Sequence, residues 1–140
     1  MTLDKARETA LKIIYEINEQ GAYSNIALNR HLAAGKLSDI DRAFITEIVY
    51  GSVKWRLMLD RVIAHYSNIK MGKLSPWIVN ILRMGVYQLL HMTRVPASAA
   101  CNESVKLATR YGHRASAGFV NAVLRKVAKD GADAALPSKE

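Results

Sequence analysis

The sequence predicts an all-α domain. Apolar residues recur at intervals of three and four along most of the chain, and period-2 alternation is absent. Serine, proline and glycine fall where helices begin and end. With 50% of its 140 residues hydrophobic, the chain is long enough and apolar enough to bury a core without disulfide or metal staples.

The first helix is expected from about Asp4 to Gln20, with Ala6, Ala10, Ile13, Ile14 and Ile17 on its inner side and Gly21 as its stop. A short second helix spans Ser24 to Ala34 with Ile26, Ala27 and Leu32 as its apolar contacts, and Gly35 ends it. Ser38 stands as an N-cap, followed by Asp39 and Asp41 in a first turn that favours negative charge. The stretch after it carries Phe44, Ile45, Ile48, Val49, Val53, Leu57 and Ile63. Gly51 is expected to kink or split it, because glycine inside a helix costs about 1 kcal/mol relative to alanine and so has a conformational or packing reason.

Ser75-Pro76 reads as an N-cap with proline at the first helical position, opening a fifth helix that is apolar nearly all round and therefore central. Gly85 within it predicts a close helix crossing. Pro96 sets a turn, Ser98 is the expected cap of the sixth helix, and Gly112 closes it. The seventh is expected from about Ser116 to Lys129, buried through Val120, Val123, Leu124 and Val127. Residues 1–130 thus read as one domain, and 131–140 as a tail or the start of a linker.

Charge narrows the partners. Twenty Lys and Arg against twelve Asp and Glu leave a net +8, a balance that suits nucleic acid or another anionic surface. Cys101 is the only cysteine, which rules out an internal disulfide and fits a reducing compartment, and the first residues lack the apolar core of a secretory signal. A cytoplasmic protein is expected. The run from Trp77 to Met92 is interrupted by Asn80, Arg83 and Gln88 and reads as a buried helix.

Catalytic patterns are missing. No Gly-x-Gly-x-x-Gly or Gly-x-x-x-x-Gly-Lys-Ser/Thr loop occurs, and His31, His65, His91 and His113 do not stand at metal-ligand spacing. Cys101, between Ala100 and Asn102, has no activating base beside it and reads as a core thiol.

Three groups are candidates for binding. Lys5, Arg7 and Lys12 lie on the opening helix, as phosphate contacts or a solvated face. Asn102, Lys106 and Arg110 recur every four residues on one face of the sixth helix, with His113, Arg114, Phe119, Asn121 and Arg125 following. Spacing alone leaves a phosphate surface and a solvated face equally open for this row, and Phe119 open between core and a ring for stacking a base. Asn121, among apolar neighbours, either ties two helices together or faces a ligand. Tyr50, Trp55 and Arg56 form the third group; they suit either RNA stacking or a seam between bundles, with Asp60 placed for an ion pair to Arg56. A helix-turn-helix DNA binder also fits the charge, with Thr93–Ser98 as its turn.

Ala6-Arg7-Glu8, Asp41-Arg42 with Phe44, Tyr50-Gly51 to Trp55-Arg56, and Leu59-Asp60 stand in order along the chain. Ile81-Leu82-Arg83, Tyr87-Gln88-Leu89, Arg94-Val95-Pro96, Asn102-Glu103 and the run from Phe119 to Arg125 continue the series. Through these the chain resembles the NusB-like RNA-binding domain from about Ala6 to Lys129. In Tyr50 to Arg56 and the Arg-Val-Pro turn, it looks most like the amino-terminal domain of RsmB-type ribosomal RNA cytosine-C5 methyltransferases.

The resemblance implies about seven helices in two antiparallel bundles. It also implies RNA contacts from the first helix and the last two, at Lys5, Arg7, Asn102, Lys106, Arg110, Arg114, Phe119 and Asn121, and a small-subunit ribosomal RNA as partner. S-adenosylmethionine and a catalytic cysteine pair would belong to a further domain, so no cofactor and no methyl transfer are expected of these 140 residues. The alternative within the resemblance is a free-standing antitermination factor that binds RNA together with a small-subunit ribosomal protein.

Overall fold

The computed structural model describes residues 3–131; the expected tail after Gly131 lies outside them. Among the described residues there are seven α-helices and no strand. They are α1 (Lys5–Gln20), α2 (Ser24–Ala34), α3 (Asp39–Lys54), α4 (Arg56–Tyr66), α5 (Pro76–His91), α6 (Ala97–Tyr111) and α7 (Arg114–Asp130), with a 3-10 turn at Met71–Lys73 before α5.

Several helix ends follow from local chemistry. The Asp4 carboxylate accepts from the amides of Ala6 and Arg7, Ser38 from Asp41, and Ser75 from Ile78. Gly21 ends α1 at φ 73°, a left-handed conformation that favours glycine. Ser75→Ala should lower stability by about 1 kcal/mol through loss of that cap, readable as a lower urea midpoint at unchanged slope.

Three boundaries differ from expectation. The break between α3 and α4 falls at Trp55, not Gly51, which stays helical. A Cβ on Gly51 would lie 2.0 Å from Cζ of Tyr87, so the glycine makes room for a ring of α5. Four residues on, the Trp55 ring turns onto His91 of α5, with centroids 5.9 Å apart. Helix α6 opens at Ala97, because extended Pro96 already accepts from the Ala100 amide, and Ser98 therefore lies inside the first turn. Helix α7 opens at Arg114, two residues early, where the His113 carbonyl takes the Ala117 amide. Ile26 and Leu57, expected inside, are exposed.

The helices form two groups. Helices α1, α2 and α3 pack on one another, α4 to α7 do the same, and α5 touches α1 and α3 as well as α4, α6 and α7. The core runs through Leu11, Ile14, Ile45, Ile48, Leu82 and Leu124, all fully buried. Gly85 admits the close crossing predicted for it: a Cβ there would stand 2.7 Å from Leu124 and 3.0 Å from the Ser104 hydroxyl.

Polar ties join the groups. Arg83 of α5 grips Asp60 of α4 through two bonds of 2.7 and 3.0 Å, so Asp60 is not the partner of Arg56. Buried Asn80 accepts from Asn18 at 2.8 Å and donates to Glu19 at 2.9 Å, linking α5 to α1. Tyr15, Trp77 and Tyr111 stack in series across α1, α5 and α6. The Tyr111 hydroxyl donates to Glu8 at 2.6 Å, and burial followed by that carboxylate pushes its pKa well up.

Candidate nucleic-acid interface

Helices α6 and α7 are joined only by Gly112 and His113 and therefore run back along each other. The turn is tight: a Cβ on Gly112 would meet the Ala108 carbonyl and the Ser116 side chain at 2.9 Å. Each helix turns an apolar stripe inward, Cys101, Leu107 and Ala108 on α6 and Val120, Val123, Leu124 and Val127 on α7. Polar residues of both helices, among them Asn102, Lys106, Arg114 and Asn121, are left along their seam.

That seam is a groove of about 940 Å³. Asn102, Lys106, Arg114 and Asn121, predicted as binding residues, all line it, together with Arg125. Arg125 ties the walls: its Nε donates to Asn121 Oδ1 at 3.1 Å and its Nη2 to Asn102 Oδ1 at 2.8 Å. Asn121 thus serves the inter-helix tie, through Arg125, and faces the groove as well. Lys106 donates to Glu103 at 3.2 Å. Arg110, Arg114, Lys126 and Lys129 are exposed, and no carboxylate among the described residues lies within ion-pair distance of them. Of these four, Arg114 lines the groove.

Other predicted residues are placed elsewhere. Arg110 is exposed on the last turn of α6 and does not line the groove. The Glu8–Tyr111 bond brings the opening turns of α1 to that end of α6, with Lys5 and Lys12 exposed on α1.

Arg7 faces the core. It is only 9% exposed, its Nε donates to Gln88 at 2.8 Å, it pairs with Asp4, and its guanidinium lies 5.0 Å from the Phe44 ring centroid. An arginine so buried ties α1 to α5 and offers little surface to a phosphate, with its Nε and Nη1 donors engaged inside the fold. Phe119 is half-buried and lines a separate cleft of about 600 Å³ on the other side of α7, with Ile69, Leu74, Ile78, Tyr111 and His113. The structure therefore does not bring Phe119 and Asn121 to one surface.

Cys101 is fully buried, and burial raises its thiol pKa against a smaller lowering from Arg125. That environment does not fit a thiolate nucleophile. Of the third candidate group, Trp55 stacks on His91, which in turn stacks on Tyr87, with Lys54 over the Trp55 ring, while Tyr50 and Arg56 are exposed.

The sequence profile of the NusB family matches residues 4–129. The chain belongs to the NusB family. It is 34% identical over 131 residues to the probable ribosomal RNA small subunit methyltransferase B of Bacillus subtilis, covering 94% of this chain but 29% of that protein. A second such relative, from Synechocystis, is 39% identical over 86% of this chain and 27% of its own length. The transcription antitermination protein NusB of Syntrophomonas wolfei is 30% identical over 91% of this chain and 96% of its own.

Among solved structures, NusB of T. maritima superposes with a TM-score of 0.83 at 24% identity, covering 94% of this chain and 95% of that one. A structure of the antitermination factors NusB and NusE with double-stranded RNA gives 0.80 at 21% identity, covering 89% and 93%. These structural likenesses establish the NusB fold for the chain.

Proposed function

We propose that this chain is an RNA-binding module that holds an RNA backbone along the α6–α7 groove. The observation that carries the reading is the convergence of Asn102, Lys106, Arg114, Asn121 and Arg125, from two helices, on one groove in which Arg114 and Arg125 have no carboxylate partner among the described residues. Lysine and arginine near phosphates release counterions, which supplies affinity and makes it salt-dependent, and amide groups add directed hydrogen bonds. Small-subunit ribosomal RNA is the proposed target, in keeping with the names of the methyltransferase relatives.

Two settings for the module have separate support. A free-standing antitermination factor, acting with a ribosomal protein, is the setting of relatives that the chain spans almost end to end, and a solved relative assembles with NusE and RNA. An RNA-positioning domain of a ribosomal RNA methyltransferase is the setting of relatives at 34–39% identity, of which the chain spans less than a third. In that setting S-adenosylmethionine and the cysteine nucleophile belong to the rest of the protein. Isothermal titration with the small-subunit ribosomal protein separates them: tight association supports the first setting, none the second.

RNA binding itself is tested by titrating small-subunit ribosomal RNA fragments at several salt concentrations. A falling log–log line is expected, and Arg114→Ala should reduce its slope by ~1. Arg110→Ala, beyond the groove, should change it less. Unchanged affinity in both variants removes the surface, and equal affinity for duplex DNA removes the preference for RNA.

A further inference from the structure

We infer that Arg125 is a positioning residue that fixes the orientation of two asparagine amides and thereby makes the α6–α7 groove present donors to its ligand. This rests on the RNA-binding reading and goes beyond it by naming what the groove recognises. The argument is one of inventory. An asparagine side chain ends in an acceptor and a double donor, and a half-turn about its last bond exchanges them. Guanidinium has donors only. The Nε and Nη2 donors of Arg125 meet Asn121 Oδ1 at 3.1 Å and Asn102 Oδ1 at 2.8 Å, one on its own helix and one on α6. Both carbonyl oxygens are therefore turned to Arg125, and a flipped amide would set its own N–H against an N–H.

What remains for a ligand follows directly. Each amide has its Nδ2 group left over, and no acceptor among the described residues takes either one. Around them stand Lys106 and Arg114, again donors only. The one carboxylate that lines the groove among the described residues, Glu103, is directed to Lys106 through Oε2, and its Oε1 is buried. The groove thus offers hydrogen-bond donors from two helices to whatever enters. Its ligand chemistry is acceptor-rich: phosphate oxygens first, then the carbonyl edges of guanine and uracil ahead of the amino edges of adenine and cytosine. Without Arg125 each amide is free to flip, and the groove loses that discrimination.

Arg125→Lys tests the assignment, since it keeps the charge but replaces a planar fork by a single ammonium. In the free protein, nuclear magnetic resonance of the Asn102 and Asn121 side-chain amides should show both shifted by the substitution, with no change in Tm. Against the ribosomal RNA fragment, Arg125→Lys should weaken binding about tenfold at unchanged salt slope. In an Asn102→Ala, Asn121→Ala background the same substitution should have less than about a twofold effect, because the groups it positions are gone.

Amide resonances that do not move in the free protein overturn the inference, as does an equal loss of affinity in both backgrounds, which would make Arg125 a direct contact. A parent chain that binds no RNA removes the RNA reading and the recognition role with it. Shifted amides in that case would still show the fork to be real, so the two failures are told apart.

Discussion

Arg7→Ala should lower the unfolding free energy by about 3 kcal/mol and leave the salt slope of RNA binding unchanged. The magnitude comes from what the guanidinium does. It gives Gln88 Oε1 a donor, pairs with Asp4 beside the first turn of α1, and lies over Phe44. Gln88 is fully buried, so its oxygen has no route to water once the arginine is gone. Arg7→Met separates the contributions: it restores the apolar stem packed near Phe44 but not the hydrogen bonds, and should recover part of the loss. Urea denaturation reads the stability and filter binding at several salt concentrations reads the slope. A slope that falls by ~1 with stability intact would return Arg7 to the RNA surface.

Gly51→Ala is the second large effect and has an unusual sign structure. Alanine is the better helix former by about 1 kcal/mol, so the substitution is favourable in isolation. In this fold the added methyl would overlap the Tyr87 ring, at 2.0 Å from Cζ. Tyr87 is almost wholly buried, and its ring also stacks near His91 at 5.2 Å, so it leaves only by giving up packing on both sides. Losing a buried aromatic costs about 3 kcal/mol, which leaves a net destabilisation of about 2 kcal/mol. In a Tyr87→Ala background the same change should be neutral or stabilising by up to about 1 kcal/mol. Additive effects in the two backgrounds would show that the glycine is not there for the ring.

Local rules placed most of the helices. Gly21, Ser38 and Ser75-Pro76 act through atoms within four residues of themselves, and each stands at its expected helix end. Gly85 and Cys101 sit where periodicity puts them: Gly85 on α5, which is apolar nearly all round and has only one place to go, and Cys101 on the apolar stripe of α6. The misread features share a different cause: their partners are distant in the chain. Gly51 needs Tyr87, Arg7 needs Gln88, and Asp60 prefers Arg83 to the neighbouring Arg56.

The candidate interface divides the same way. The four-residue spacing on α6 identified Asn102 and Lys106, which line the groove. It could not show that Arg125 reaches across to Asn102, twenty-three positions away. Nor could it show on which side of α7 Phe119 emerges; its spacing from Ala115 and Ser116, which line the same cleft, was the available signal.

Helix α5 belongs to both groups of helices at once, since α1 and α3 lean on one side of it and α4, α6 and α7 on the rest. Each half then closes its interior against a helix that it shares with the other. Amides in the middle of α5 should exchange with deuterium only when the entire molecule opens, and heat or urea should melt the chain in one step. A surface built on α6 and α7 inherits that cooperativity: whatever docks there meets a partner that is wholly assembled or not assembled at all.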